Sequence, residues 1–384
     1  MTTTGDACES PSTEKEGGGS GSGVVGTARG GGDRSKWKIA DTPQDAGILP
    51  TVGVTLWLGW NGFLLYTIPY AIFLAGKWQR AVILGFAILS LALPANFPGA
   101  LGYRMGDWMM SQAEKYFGLK TVIEDEDDLI RHSERNKSLI FAFNPHDVLP
   151  YSVFCFNPSL RRLPGKIGKD GCALMTSAVF GIPFIRHVYS WVRCLPVDKR
   201  TFLRRLHDGQ SFAFSPGGVQ EVLLLNPAKP HELVLYLKQR KGFIKLALTT
   251  GSPVVPVFAF NLDGSYGYWL PRGPFVEKIS RAVGIAPLVF WGRWGIPFGI
   301  PHPRKSHVVI GRAIDMPKNT EGENVTQELV DEWHAVFLEE LELLFERHKN
   351  EAGHFADDDV ILNDVLVISL SSHTTYALQN KAWS

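Results

Sequence analysis

The chain sets an imidazole beside a carboxylate in Asn144-Pro145-His146-Asp147. A histidine titrates near neutral pH, so it can take a proton from a weak nucleophile such as an alcohol and hand it to a leaving group. Asp147 is the adjacent candidate carboxylate, although neighbouring side chains usually diverge. Two further blocks carry groups that such chemistry needs. In Phe214-Ser215-Pro216-Gly217-Gly218-Val219-Gln220-Glu221, Gly217 and Gly218 let backbone N–H groups approach a ligand oxygen, and Glu221 supplies a second carboxylate. In Arg240-Lys241-Gly242-Phe243-Ile244-Lys245, the cations Arg240, Lys241 and Lys245 suit phosphates. Each block alone has a plainer reading. A His-Asp pair is most often structural, Pro-Gly-Gly is commonly an ordinary tight turn, and a basic helix start is commonly just solvated.

The elements that must hold these groups are legible around them. Ser138–Phe143 is an apolar run that reads as a buried strand, and Pro145 forbids its continuation, so His146 follows a strand end. Ser211–Phe214 reads as the strand before the glycine pair. Gly242–Thr250 reads as a helix stopped by Gly251, followed by a strand over Val254–Phe260. Cys172–Thr176 and His307–Ile310 are further strand candidates, and Phe184–Val192, Thr201–Asp208 and Asn324–Lys349 further helices. The last has Leu329, Trp333, Phe337, Leu341, Leu344 and Phe345 at helical spacing, with Asn324 and Gln327 as a capping pair. Strands alternating with helices predict an α/β fold with a mostly parallel or mixed central sheet flanked by helices.

Composition narrows the function classes. With 384 residues, 39 basic against 38 acidic, the net charge is +1, which speaks against nucleic acid as a partner. Cys8, Cys155, Cys172 and Cys194 are dispersed and predict reduced thiols rather than a zinc site or disulfide framework. No metal-ligand pattern surrounds His302 or His307. The acidic run Glu124 to Asp128 reads as a solvated face. No signal peptide or transit peptide is expected at the N-terminus. Residues 1–46 are Gly/Ser-rich and expected to be disordered, and the G-x-G-x-x-G match at Gly21 to Gly26 is a chance product of that composition.

Residues 47–104 change character. No charge occurs from Ala46 to Gly76, nor from Ala81 to Tyr103, and the interruption is Lys77-Trp78-Gln79-Arg80. A membrane-crossing helix needs roughly 20 apolar residues. Two such runs joined by four residues predict a membrane-embedded hairpin, with Trp57, Trp60 and Trp78 suited to the interface and Pro69 kinking or ending the first helix. Arg29, Arg34, Lys36 and Lys38 favour a cytosolic N-terminus. Residues 105–362 form the expected catalytic domain and 363–384 a short tail.

The three blocks in this order and spacing, downstream of an apolar hairpin, resemble the type-2 diacylglycerol acyltransferase family, which includes monoacylglycerol and wax-alcohol acyltransferases. The similarity runs from about Tyr103 to His348 and takes in Tyr116-Phe117, the His146 block, Pro216-Gly217-Gly218, Arg240 to Val257, and Trp291-Gly292-Arg293. The resemblance implies a glycerolipid-acyltransferase-like fold. It implies acyl transfer from acyl-CoA to the free hydroxyl of diacylglycerol, or alternatively to a monoacylglycerol or a long-chain alcohol. It points to His146 as the general base, with Glu221 as a candidate carboxylate to orient it. Gly217 and Gly218 are then the oxyanion candidates and Arg240, Lys241 and Lys245 the candidates for CoA phosphates. No metal or redox cofactor is implied, membrane lipids are partners, and homo-oligomerisation is left open. The endoplasmic reticulum membrane, with the domain facing the cytosol, is the expected location, with lipid droplets as a second. The chain departs from the family's His-Pro-His-Gly tetrad, since Asn144 cannot titrate and Asp147 replaces glycine. That departure keeps a non-catalytic lipid-droplet or membrane protein as a competing expectation. In the related H-x4-D box, the acidic position would fall on Tyr151. His354 and Asp359 fit that spacing but follow the terminal helix in a polar stretch, and are set aside.

Overall fold

The computed structural model of the chain describes residues 38–41, 47–135, 137–153, 163, 167–168, 171–226, 234–262, 264–318 and 325–352. They all lie in the compact unit Ser35–Ser384. The Gly/Ser-rich segment before Lys38, Cys8, Cys155, His354, Asp359 and the tail 363–384 lie outside the described residues.

Among the described residues ten strands carry the framework: β1 (Lys38–Asp41), β2 (Lys120–Ile123), β3 (Ile140–Asn144), β4 (Cys172–Met175), β5 (Cys194–Pro196), β6 (Phe212–Phe214), β7 (Val254–Phe260), β8 (Gly267–Trp269), β9 (Val289–Trp291) and β10 (His307–Ile310). Eight of them form one mixed sheet in the order β1-β2-β10-β7-β3-β6-β4-β5, while β8 and β9 pair separately. β3 is central, parallel to β7 on one side and to β6 on the other. Its five residues are all buried. A strand covered on both faces can be apolar without alternation, which is why the run before His146 looks continuous. The alternation is still real in three dimensions. Phe141 and Phe143 pack with Trp57, Met109 and Tyr116 on one face, whereas Ile140 and Ala142 pack with Phe243, Phe337 and Phe345 on the other.

The expected strands of this sheet all form. β1, β2 and β5 were not expected, and β1 lies in the segment expected to be disordered, where it pairs antiparallel with β2. Edge pairing of this kind is a long-range event that local composition does not report. The helices Ile185–Trp191, Lys199–His207, Gly242–Thr250 and Gln327–His348 match those expected. The terminal helix is capped by Thr326, whose side chain accepts from the Leu329 N–H at 3.3 Å; Asn324, the expected cap, lies outside the described residues.

The apolar N-terminal region is more broken than two clean spans. Helix Ile48–Leu58 is followed by Trp60–Pro69, a π-turn over Tyr70–Leu74 and helix Lys77–Ala92. Among the described residues no single helix is long and apolar enough to cross a membrane; Ile48–Leu58 with Trp60–Leu74 passes the length and composition test as a pair bent by 53°. The second apolar run is interrupted around Pro94 and Pro98, and its end starts a new helix, Ala100–Tyr116. A boundary at 104 therefore falls inside a helix. Ala100–Tyr116 packs on Ile48–Leu58 so closely that a Cβ at Gly53 would meet Gln112 Cβ at 2.4 Å. Trp57 belongs to that contact and is buried, so it is a core residue rather than an interface anchor, whereas Trp78 is exposed.

Candidate functional site

Strand β3 delivers Asn144 to the end of the sheet, and the chain then turns through a cis Asn144–Pro145 bond. Asn144 is fully buried; its Nδ2 donates back to Ala142 O in the strand at 3.0 Å, while its Oδ1 is buried without a hydrogen-bond partner among the described residues. Asp147 adopts a left-handed backbone, φ 51°. That conformation brings its carbonyl back over the preceding ring, where Asp147 O lies 2.9 Å from His146 Nδ1. A carbonyl only accepts, so Nδ1 carries the proton and the neutral ring presents its lone pair at Nε2. Burial pushes the His146 pKa below the ordinary histidine value, against an opposing pull from the bond to Asp147. The imidazole is thus held neutral and ready to accept a proton.

Glu221 stands on helix Val219–Leu224, just after the glycine pair, and is 2% exposed. Its Oε2 accepts from the His146 backbone N–H at 2.7 Å and its Oε1 from the Tyr236 N–H at 3.0 Å. Glu221 therefore fixes the main chain that carries His146. The expectation that it orients the imidazole directly is corrected, because the ring is oriented by the Asp147 carbonyl. The Asp147 contribution is likewise through its main chain. Burial raises the Glu221 pKa to about 7, although both N–H donors and the Arg240 charge pull it down. Gly217 is required by this arrangement. A Cβ there would sit 1.8 Å from Glu221 Oε1. Gly218 takes φ 56° at the helix start and needs no side chain for the same turn.

His146 lines a cavity of about 850 Å³ together with Ser215, Gly218, Val222 and Arg240. Leu58, Leu64, Leu65 and Ile68 from the N-terminal helices form one wall, and Arg281 to Ala286 form part of another. Of the expected glycine pair, Gly218 reaches this space while Gly217 is covered by Glu221. Of the expected cations, Arg240 lines it, with its guanidinium also 5.2 Å from the Tyr236 ring centroid. Lys241 instead donates to Asp331 at 2.8 Å, and Lys245 is exposed on its helix outside the lining. Among the described residues no three His, Cys, Asp or Glu side chains converge as a metal site. Pro216 is buried in the turn between β6 and the glycine pair.

The remaining motif residues hold the walls in place. Tyr116 Oη donates to Pro301 O at 2.7 Å, and Phe117 stacks on Tyr151, a cavity residue, at 4.1 Å. Arg293 Nη1 bonds Thr51 Oγ1 at 3.1 Å and so ties the first helix to the Trp291-Gly292-Arg293 block. The apolar wall from residues 58–68 and the Arg281 segment were not anticipated. A partial signal for the latter was available in Phe275, Ile279 and Val283, which recur at four-residue steps.

The diacylglycerol acyltransferase family model matches residues 70–363. The chain belongs to that family. It is 33% identical over 250 residues to diacylglycerol O-acyltransferase 2 of Dictyostelium discoideum, covering 62% of this chain and 72% of that protein. It is 30% identical over 239 residues to the Mus musculus diacylglycerol O-acyltransferase 2, covering 56% of this chain and 58% of that protein. The match thus spans less than two thirds of the mouse relative's length. A 2-acylglycerol O-acyltransferase 1 from Bos taurus is 32% identical over 244 residues, 56% of this chain and 66% of that protein. The crystal structure of the 1-acyl-sn-glycerophosphate (LPA) acyltransferase PlsC from Thermotoga maritima aligns with a TM-score of 0.36 at 14% identity, over 78% of this chain and 95% of that one. That resemblance is too loose to define a shared fold.

Proposed function

We propose that the chain is an acyl-CoA-dependent acyltransferase that esterifies the free hydroxyl of diacylglycerol, giving triacylglycerol. The observation that carries this reading is His146, a neutral imidazole with Nε2 unprotonated, in a large cavity partly walled by apolar helices. Family membership and the names of the relatives support the substrate class. His146 Nε2 removes the acceptor's hydroxyl proton as the oxygen attacks the thioester carbonyl. The tetrahedral intermediate collapses, expelling the CoA thiolate, and the imidazolium returns the proton to sulfur. One C–O bond forms and one C–S bond breaks, with no oxidant, reductant or metal needed for balance. The backbone at Gly218, which shares the cavity lining with His146, is the oxyanion candidate. Arg240 is the candidate for a phosphate or the thioester end of acyl-CoA. Asn144 and Asp147 shape the turn, so departure from the family tetrad is compatible with catalysis.

The acceptor and the product are both lipids, so the site must meet a bilayer. The bent pair Ile48–Leu58 and Trp60–Leu74, with helix Lys77–Ala92, is the proposed membrane insert. At 16 residues, Lys77–Ala92 suits a shallow or re-entrant insertion better than a full span. The proposed location is the endoplasmic reticulum membrane with the domain on the cytosolic side, and lipid droplets second. The test expresses the chain in cells unable to make triacylglycerol and gives their membranes labelled acyl-CoA with diacylglycerol, monoacylglycerol or fatty alcohol. Labelled triacylglycerol is expected. Label in another ester moves the acceptor, and no label with any acceptor overturns the enzyme reading in favour of a non-catalytic membrane protein.

A further inference from the structure

Helix Pro274–Val283 wears its apolar residues outward. Phe275, Ile279 and Val283 recur at four-residue steps and so share one face, yet they are 75%, 44% and 53% exposed. The buried position is polar: Ser280 is covered and its hydroxyl donates to Val276 O at 2.8 Å. A surface helix packed on a protein core shows the opposite arrangement. Arg272, Lys278 and Arg281 accompany the stripe against one acidic neighbour, Glu277, which Arg281 bonds at 2.8 Å. Cations beside an exposed apolar stripe are the pattern of a helix lying in the plane of a lipid interface.

The position of the helix says what covers it. The cavity that holds His146 is lined by Leu65 and Ile68 from the N-terminal helices, by Val283 at the end of this helix and by Ile285 just beyond it, and all four are exposed. The rim of the cavity is therefore apolar on both sides. The two sides are joined through the neighbouring loop, where Tyr66 Oη donates to Pro297 O at 3.0 Å and Trp294 stands 65% exposed. Exposed indoles suit the headgroup level of a membrane.

We propose that helix Pro274–Val283 is a second membrane-contact element, bedded in the headgroup layer of an anionic lipid surface, so that the cavity mouth opens between it and the N-terminal helices into the acyl-chain region. A lipid acceptor then enters sideways without crossing water. Only this last step rests on the acyltransferase reading.

The test uses the full chain with Ile279→Cys, carrying an environment-sensitive fluorophore, in vesicles of phosphatidylcholine and phosphatidylserine. A blue-shifted emission quenched by lipid spin-labelled near the headgroup is expected. Emission typical of water overturns the proposal. So does a blue shift untouched by labelled lipid, which would put a second copy of the chain on the stripe. Independently, Phe275→Glu with Ile279→Glu, neither in the cavity lining, is expected to raise half-saturation by vesicle-borne diacylglycerol about tenfold or more, while kcat on a short-chain, water-dispersed diacylglycerol is unchanged. Equal loss on both acceptors overturns it. If the unsubstituted protein esterifies nothing, the proposed function fails while the fluorophore still decides the membrane contact.

Discussion

Glu124 and Glu221 are both buried, and they are treated in opposite ways. Glu124, 6% exposed, follows β2 and accepts from Arg347 Nε at 2.7 Å, from Arg347 Nη2 at 2.9 Å and from His348 Nε2 at 3.0 Å. Burial pushes its pKa up, but the bonds from His348 and Arg347 outweigh it and hold the carboxyl below its usual range. Glu221 meets two backbone N–H groups, with the Arg240 charge as a weaker influence, and burial wins, leaving its pKa at about 7. The Arg347 guanidinium and the His348 bond keep Glu124 an anion that pins the terminal helix to the sheet. Two backbone dipoles and a weak pull from Arg240 leave the Glu221 carboxyl with a pKa of about 7, one backbone bond from His146. Burial therefore does not distinguish a structural carboxylate from a functional one; the partners do.

The largest effect that would sharpen this contrast is at the residue Glu221 serves. His146→Ala should lower kcat by about 10²–10⁴, the usual worth of a general base, with unchanged membrane association. Triacylglycerol synthesis that survives the substitution would remove the reason for treating the two glutamates differently. Glu124→Gln should cost about 1–3 kcal/mol of stability, read as a lowered melting temperature, because it leaves Arg347 and His348 facing an uncharged partner. The rate per folded molecule should stay as it was. A catalytic defect there would break the comparison from the other side.

Smaller in size but more diagnostic is the pH profile. The folded pKa of Glu221 lies above its unfolded value, so the folded state holds this proton more tightly. Its contribution to stability is full below about pH 4.5 and is lost as pH rises toward about 7, where the carboxylate forms. Above that pH the anion favours the imidazolium that develops on His146. Activity should therefore rise through an ionisation near 7 that Glu221→Gln abolishes, while the His146 limb stays below the ordinary histidine value. An unchanged profile in the variant would reduce Glu221 to scaffolding. Least of all should follow from Lys241→Ala, which removes a solvent-screened surface ion pair with Asp331. KM for acyl-CoA should not move, whereas Arg240→Ala should raise it.

What sequence reading missed has a common cause. The run Glu124 to Asp128 reads as a solvated patch, yet Glu124 meets residues 223 and 224 positions away. Asp125 caps helix Glu126–Glu134 by accepting from Asp128 N–H at 3.0 Å. Lys241 looks like a phosphate ligand until Asp331, far along the chain, arrives beside it. The cavity wall built from Leu64 to Ile68 has no chemical signature at all, because an apolar residue facing lipid, core or substrate looks the same in one dimension.

Local chemistry was enough to determine the strand before His146, the turn that Pro145 enforces, the glycine pair, the helix after Arg240 and the apolar N-terminal region. Those follow from dihedral limits, hydrophobic periodicity and charge, all of which act within a few residues. Tertiary structure alone decided that the ring of His146 leans on the Asp147 carbonyl, that Glu221 grips the backbone rather than the imidazole, and that the N-terminal helices and the Arg281 segment close around one cavity. Each of these depends on groups brought together by the sheet order, and hydrogen bonds and desolvation act through space rather than along the chain.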